Sequence, residues 1–356
     1  MFEKKIEFDF KTNQEILKRI SAIDGFKSVW LGIEKKESRY LRELRQIATI
    51  QSIGSSTRIE GATMNDEEIK SLLNNIKITK LKSRDEQDVV GYYEAIDMVY
   101  ANFQDIQLTE NYIKQLHGML LKYSEKDVRH RGKYKNLPNK VVANYPDGQQ
   151  KGIFNTTEPH LVDKEIMEIL QWTNVQLEQS SIHPLLTIPL FVYEFLSIHP
   201  FQDGNGRLSR LLTTLLLLKH GYSFVPYISF ENIIERQKKQ YYEALMLGQK
   251  NRYSKKEKID DWILFFLDCL QEMIALLGKK YDVHKEKGGY LNPRQKEVLE
   301  AIRVNQPVKF SDIIAALPAY SQNTIKKDLI YLVNEHQIES IGRNKGTVYH
   351  IRSANS

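Results

Sequence analysis

One cysteine, Cys269, stands among 356 residues. That excludes an internal disulfide and any zinc site built on cysteine, and it suits a reducing cytoplasm. The chain also lacks a long uncharged apolar run. Its most apolar stretch, Ile259 to Leu277, carries Asp260, Asp261, Asp268 and Glu272, so it predicts an amphipathic core helix rather than a membrane span. The opening Met1-Phe-Glu-Lys-Lys-Ile-Glu has no apolar run of the kind a secretory leader needs, and the expectation is a cytoplasmic protein. Neither sign of charge dominates. The 51 Lys and Arg against 45 Asp and Glu leave a net +6, which permits an acidic partner without demanding one. No internal repeat and no low-complexity tract occurs. What remains, 41% hydrophobic and 27% charged residues, is an ordinary globular composition, long enough for two or three domains.

Against that background one segment is dense in chemistry: His199-Pro-Phe-Gln-Asp-Gly-Asn-Gly-Arg-Leu-Ser-Arg210. Upstream, Leu186 to Ile198 predicts a buried helix that must stop before Pro200, because the residue preceding a proline is pushed out of the α region. Downstream, Leu208 to Leu218 predicts a second buried helix closed by Gly221. Gly204 and Gly206 then sit on the loop that opens it, where unpaired N–H groups and the positive end of the macrodipole form an anion site. Arg207 and Arg210, three apart, offer forked donors to phosphate oxygens. Asp203 is the natural single carboxylate for a magnesium ion that takes its other ligands from phosphates and water. His199 can take a proton from an attacking hydroxyl. An EF-hand loop starting at Asp203 is excluded, since its twelfth position is Thr214 rather than glutamate.

The twelve residues match, at every defining position, the signature His-x-Phe-x-Asp/Glu-Gly-Asn-Gly-Arg-x-x-Arg of the Fic (filamentation induced by cAMP) family. The resemblance implies a mainly α fold, a helical core with a short β-hairpin flap, and transfer of AMP from ATP onto a hydroxyl side chain of a target protein. It implies His199 as general base, Asp203 as the magnesium ligand, and Gly204, Asn205, Gly206, Arg207, Leu208, Ser209 and Arg210 as the ATP cradle. A further segment, Ser55-Ser-Thr-Arg-Ile-Glu-Gly61, ends a helix predicted from Glu37 to Glu60. Glu60 there meets the negative end of the helix dipole and calls for a cationic partner. Ser56-x-x-x-Glu60-Gly61 resembles the family's inhibitory motif, Ser/Thr-x-x-x-Glu-Gly/Asn, which implies a Glu60–Arg210 pair that blocks the productive γ-phosphate pose. The implied partners are ATP and a target protein (the chain itself being one option), and a homodimer that hides or exposes Glu60 fits the same scheme.

Composition shifts divide the chain into a helical N-terminal region (1–85), a catalytic core with its following helices (86–278), a lysine-rich linker (279–289) and a C-terminal domain (290–356). Within the core, Gly132 to Gly148 predicts a short hairpin tipped by Pro146-Asp-Gly148. The resemblance makes it the flap that clamps the target by strand addition, with Val141 and Val142 on it. Glu231 to Gly248 predicts a helix whose Tyr242, or its neighbour Tyr241, contacts the adenine by the same resemblance. The last domain reads as three helices and a hairpin around Gly342-Arg-Asn-Lys-Gly346. This is the pattern of a winged helix-turn-helix with Ser321 to Val333 as recognition helix and Arg343 and Lys345 on the wing. With nine Lys/Arg against six Asp/Glu it suits DNA or protein equally. The leading expectation is an autoinhibited adenylyltransferase. The alternatives are a DNA-binding regulator whose core senses nucleotide, and a deAMPylase using the same site.

Overall fold

A computed structural model describes residues 2–34, 38–76, 80–144, 150–286, 291–334, 337–342 and 346–351. The chain divides into two compact units, Met1–Leu277 and Gly278–Ser356. The first is helical: α1 (Phe10–Glu34), α2 (Ser38–Ile59), α3 (Asp66–Asn74), α4 (Arg84–Asn102) and α5 (Glu110–Leu120), then a hairpin of β1 (Lys140–Asn144) and β2 (Gln150–Asn155), then α6 (Val162–Gln179), α7 (Pro184–Ile198), α8 (Asn205–Lys219), α9 (Phe230–Arg236), α10 (Lys238–Gln249) and the greater part of α11 (Asp260–Glu286), whose last turns belong to the second unit. Local chemistry sets many of these starts. Asn65 and Ser83 close capping boxes with Glu68 and Glu86, and Thr109 caps α5 through the Tyr112 N–H.

The heart of this unit is α7 against α8, with α6 flanking α7 and α2, α4 and α5 packed on α8. Both central helices are buried almost all round, and Ile188, Phe191, Phe195, Leu208, Leu211 and Leu215 are buried together. α7 is also apolar on nearly every face, and such a helix has to lie inside other helices. The loop between α7 and α8 is thereby mounted on two fully packed supports.

Several boundaries differ from the sequence expectations. The hairpin's second strand, Gln150–Asn155, lies beyond Gly148, while residues 132–138 form turns rather than strand; the expected tip, Pro146 to Gly148, lies outside the described residues. The helix expected from Glu231 to Gly248 breaks at Gln237. α11 runs on through Lys279 to Glu286, where a linker was expected, since lysine and glutamate are good helix formers; Lys287, Gly288 and Gly289 lie outside the described residues.

The second unit contains α12 (Pro293–Asn305), β3 (Val308–Lys309), α13 (Phe310–Ala316), α14 (Gln322–Asn334), β4 (Ile338–Ile341) and β5 (Val348–Ile351), with an antiparallel sheet in the order β3-β5-β4. Asn292 caps α12 in a capping box with Gln295. The unit has its own core, including Val298, Ile302, Ile313, Ile325, Leu329 and Ile338. Arg294 grips the buried Asp328 with two hydrogen bonds and ties α12 to α14.

Candidate active site

α7 ends at Ile198, as the following proline requires, and His199 turns the chain with a left-handed φ of 52°. Such a backbone is strained for a residue with a side chain, and strain of this kind gathers at functional sites. The His199 N–H still donates to the Phe195 carbonyl at 2.9 Å. Its Nδ1 lies 3.2 Å from the Leu196 carbonyl oxygen. A carbonyl can only accept, so Nδ1 carries the proton and Nε2 keeps its lone pair. Burial pushes this imidazole down to about 4; the Leu196 contact opposes the shift and the Lys135 charge adds to it. His199 is neutral at physiological pH, with Nε2 ready to accept.

The Asn205 side chain then locks the loop, accepting from the Phe201 N–H at 2.9 Å and donating to the Phe201 carbonyl at 2.8 Å. This early closure starts α8 at Asn205 rather than at Leu208, with Gly204 as the left-handed N-cap at φ 77°. No side chain caps this end, so the first-turn N–H groups of Asn205, Gly206 and Arg207 have no acceptor one turn back. Leu208 and Ser209 point into the core. The Leu208 N–H is already spent on the Gly204 carbonyl, and the Ser209 hydroxyl donates to the Gly206 carbonyl. They support the turn from behind.

The two arginines expected on one side of that turn part company. Arg207 is buried against Asp88 of α4 and lies 3.7 Å from Asp203. Arg210 reaches α2. Its Nε donates to the Ser56 hydroxyl at 2.9 Å, and its Nη2 donates to the Ser56 carbonyl and to the Glu60 carboxylate, each at 2.8 Å. Glu60 stands just past the last turn of α2, where Gly61, at φ 108°, and Ala62 return their N–H groups to Arg58 and Thr57 in a Schellman close. The carboxylate lands on the first turn of α8. A Cβ built on Gly206 would lie 2.1 Å from Glu60 Oε1, and Gly206 has no positive φ. Its glycine is therefore demanded by the carboxylate pressed against it, not by a turn.

Asp203 is ionised. Burial would raise its carboxyl, but Arg207, the Gly204 N–H and Arg84 together hold it below the ordinary value. Among the described residues no group of three or more His, Cys, Asp and Glu is placed to hold a metal ion. A single ionised carboxylate beside free backbone N–H groups fits an ion such as magnesium, which brings phosphate oxygens and water as its other ligands. The half-exposed Arg84, whose Nη2 now donates to Asp203 Oδ2 at 2.5 Å, would have to swing away.

Four supporting residues were not singled out by the sequence. His117, buried on α5, stacks on Phe201 with ring centroids 3.7 Å apart, and its Nε2 meets the Asp203 carbonyl at 3.0 Å. Lys135 and Asn139 hold the backbone around His199 from the hairpin stem. Gln249 ends α10 with both amide atoms buried and, among the described residues, without a hydrogen-bond partner. It lies two turns beyond Tyr242 on the same helix, and α10 packs on β2. Tyr241 and Tyr242 are both buried, and Tyr241 is the one that feels Arg210 directly. Val141 is buried in β1 opposite Phe154, and Val142 pairs with Gly152 beyond a break in register.

Residues 107–217 match the model of the Fic/DOC family. The chain is 28% identical over 261 residues to Protein adenylyltransferase Fic of Drosophila willistoni, and 29% identical over the same length to that of Drosophila mojavensis. Each alignment covers 73% of this chain and 47% of the relative, so the chain spans about half the length of the curated relatives it matches. Among solved structures, a Fic family protein from Desulfovibrio desulfuricans G20 aligns over 96% of this chain and 97% of its own with a TM-score of 0.61 at 21% identity. Residues 134–508 of Fic-1 from C. elegans align over 76% of this chain and 73% of that one with a TM-score of 0.55 at 18% identity. These likenesses are of fold.

Proposed function

We propose, from the premise that this chain carries a Fic/DOC-family domain at residues 107–217, a protein adenylyltransferase that moves AMP from ATP to a hydroxyl of a target protein and is restrained by its own Glu60. One observation carries the reading. A neutral histidine with Nε2 free, an uncapped helix start and an ionised aspartate share one short loop, and a carboxylate from α2 sits on the arginine nearest the cradle. The name of the Drosophila relatives supports the same reaction.

In the working state the β- and γ-phosphates lie on the N–H groups of Asn205, Gly206 and Arg207, with Arg210 as forked donor. A magnesium ion at Asp203 would offset phosphate charge. The target hydroxyl gives its proton to His199 Nε2 while its oxygen attacks the α-phosphorus. The bond from that phosphorus to the bridging oxygen breaks, and diphosphate leaves with the electron pair. The hairpin, two-stranded among the described residues, has a free edge on which a target segment adds as a further strand. The unpaired Gln249 amide suits the adenine edge, where one donor and one acceptor lie side by side; a buried amide with neither bond made calls for such a partner. Tyr242, two turns below, would line the same base. In the second unit we read α12 to α14 and the β3-β5-β4 sheet as a winged helix. Its Lys326 and Lys327 are exposed on α14, and the expected wing residues Arg343 and Lys345 lie outside the described residues.

In the restrained state Glu60 occupies the place of the γ-phosphate on Arg210. Like charge and shared volume then force the triphosphate to tilt, and misalignment of the α-phosphorus costs on the order of 100-fold in rate. Incubation with α-labelled ATP tests this. Glu60→Gly is expected to label itself or a lysate protein about 100-fold faster than the unaltered chain, and Glu60→Gly with Arg210→Ala to fall back. Equal labelling across ATP concentrations would sink the restraint, and nucleotide binding without any labelling would leave a sensor.

A further inference from the structure

The stem of the hairpin and the loop carrying His199 are fastened together by residues the reaction scheme does not use. Lys135 is 4% exposed. Its ammonium donates to Asn139 Oδ1 at 2.8 Å, Thr156 Oγ1 at 2.7 Å and the Ile198 carbonyl at 3.1 Å, and its backbone N–H donates to the Pro200 carbonyl at 2.8 Å. Asn139 donates from Nδ2 to the Phe201 carbonyl at 2.9 Å, and Thr156 donates to the Asn139 carbonyl at 3.0 Å. The carbonyls on both sides of His199 are thus held from one element. Ile198 supplies one of the end carbonyls that α7 cannot satisfy itself, which a cation suits.

As a device for stability this is a poor choice. Among the described residues Lys135 has no carboxylate within ion-pair distance, all three protons go to neutral oxygens, and burial draws its ammonium down to about 8. A buried charge that Glu158 and Glu165 attract only from beyond ion-pair distance is costly, and an apolar side chain of the same length would cost less. What only this arrangement supplies is registration.

We propose that Lys135 is a positioning residue: with Asn139 it lashes the hairpin stem to the backbone flanking His199, so that a target strand added to the hairpin arrives in fixed register with the base. The inference rests on the adenylyltransferase reading, and a shift of about 1 Å between hydroxyl and base is enough to cost on the order of 100-fold.

The test uses full-length Glu60→Gly protein carrying Lys135→Met or Lys135→Arg. Three readouts are taken: AMP transfer from labelled ATP, ATP affinity by direct binding, and amide hydrogen exchange by mass spectrometry. Lys135→Met is expected to lower turnover about 100-fold while ATP affinity stays within about twofold. Exchange in residues 199–205 should quicken, with α4 and α6 unchanged, and Lys135→Arg should restore most of the turnover. Unchanged turnover and unchanged loop exchange in Lys135→Met would overturn the proposal. So would faster exchange throughout the unit with ATP affinity lost in proportion, which marks a merely structural residue. Should the Glu60→Gly parent transfer no AMP, the enzyme reading fails by itself, and loop exchange still decides whether Lys135 holds the loop. Should Lys135→Met not fold, Thr156→Val removes one acceptor and is expected to give the same pattern at smaller amplitude.

Discussion

His199 is set as a base by one contact, its Nδ1 proton on the Leu196 carbonyl, and by burial that holds the ring near 4 rather than 6.5. The sign matters for the pH profile. A base works when deprotonated, so a depressed value keeps it working further into acid, and activity is lost only as pH falls through the depressed value. Lys135 pushes in the same direction, whereas Glu60 and Asp203 oppose. Transfer by the Glu60→Gly variant is therefore expected to be flat between about pH 6 and 7, with its acid limb well below 6.5. An initial-rate profile showing half-loss near pH 6.5 would mean that the ring is not held as described. At this scale the motif was legible because its chemistry is carried by the side chains named in it. His117 and Lys135 were not legible. Each acts through a backbone carbonyl more than sixty positions away, and a lone histidine or lysine gives no sign of which carbonyl it will meet.

At the scale of elements, the end of α2 is where the proposed restraint would be set. Arg58 clamps it with two hydrogen bonds to Glu235 of α9, at 2.7 and 3.0 Å, and with further ones to Asp66 and the Met64 carbonyl at 3.0 Å. Arg210 bonds Glu60 directly, and this grip fixes the turn that carries it. Arg58→Ala should loosen the last turn and raise transfer by about tenfold, short of Glu60→Gly, because the carboxylate remains and is only less often in place. Labelling no faster than the unaltered chain would show that the turn stays put without Arg58. α1 and α3 to α6 were foreseen only as a helical region without bounds, whereas α2, α7, α8 and α11 were legible from apolar spacing and end signals. Their ends were less so: α8 begins three residues early because the Asn205 amide closes the loop on Phe201, a bond that no periodicity reveals. The hairpin strand at Gln150–Asn155 was missed because Gln150, Lys151 and Gly152 lack strand character and pair only through β1.

The whole molecule consists of two units with separate cores, and among the described residues no helix is long and apolar enough to cross a membrane. A second core means a second surface. If that surface takes duplex DNA, Lys326→Ala with Lys327→Ala should weaken binding at low salt, and the slope of log affinity against log salt should become shallower by roughly one for each phosphate no longer neutralised. An unaltered chain that binds no duplex at low salt would assign the unit to protein partners. The three helices and the strands of this unit were legible because Asn292-Pro293 and the alternating tail are local signals. What the surface binds was not, since nine basic against six acidic residues is close to balance.

The crowding at Gly206 has a hereditary consequence. On the proposed reading the Glu60 carboxylate and the phosphate that would replace it share the bare Cα of Gly206, where a Cβ would meet Glu60 Oε1, so any side chain introduced there would evict both at once. A substitution at Gly206 is therefore expected to silence this chain rather than to unleash it. Gain of activity by single substitution is expected instead at Glu60 and the turn of α2 that carries it, some 150 positions upstream of Arg210. Loss and gain of function are expected to map to separate segments of the chain, with a random-mutagenesis screen for hyperactive labelling returning hits around Ser56 to Glu60 and none from Gly204 to Arg210.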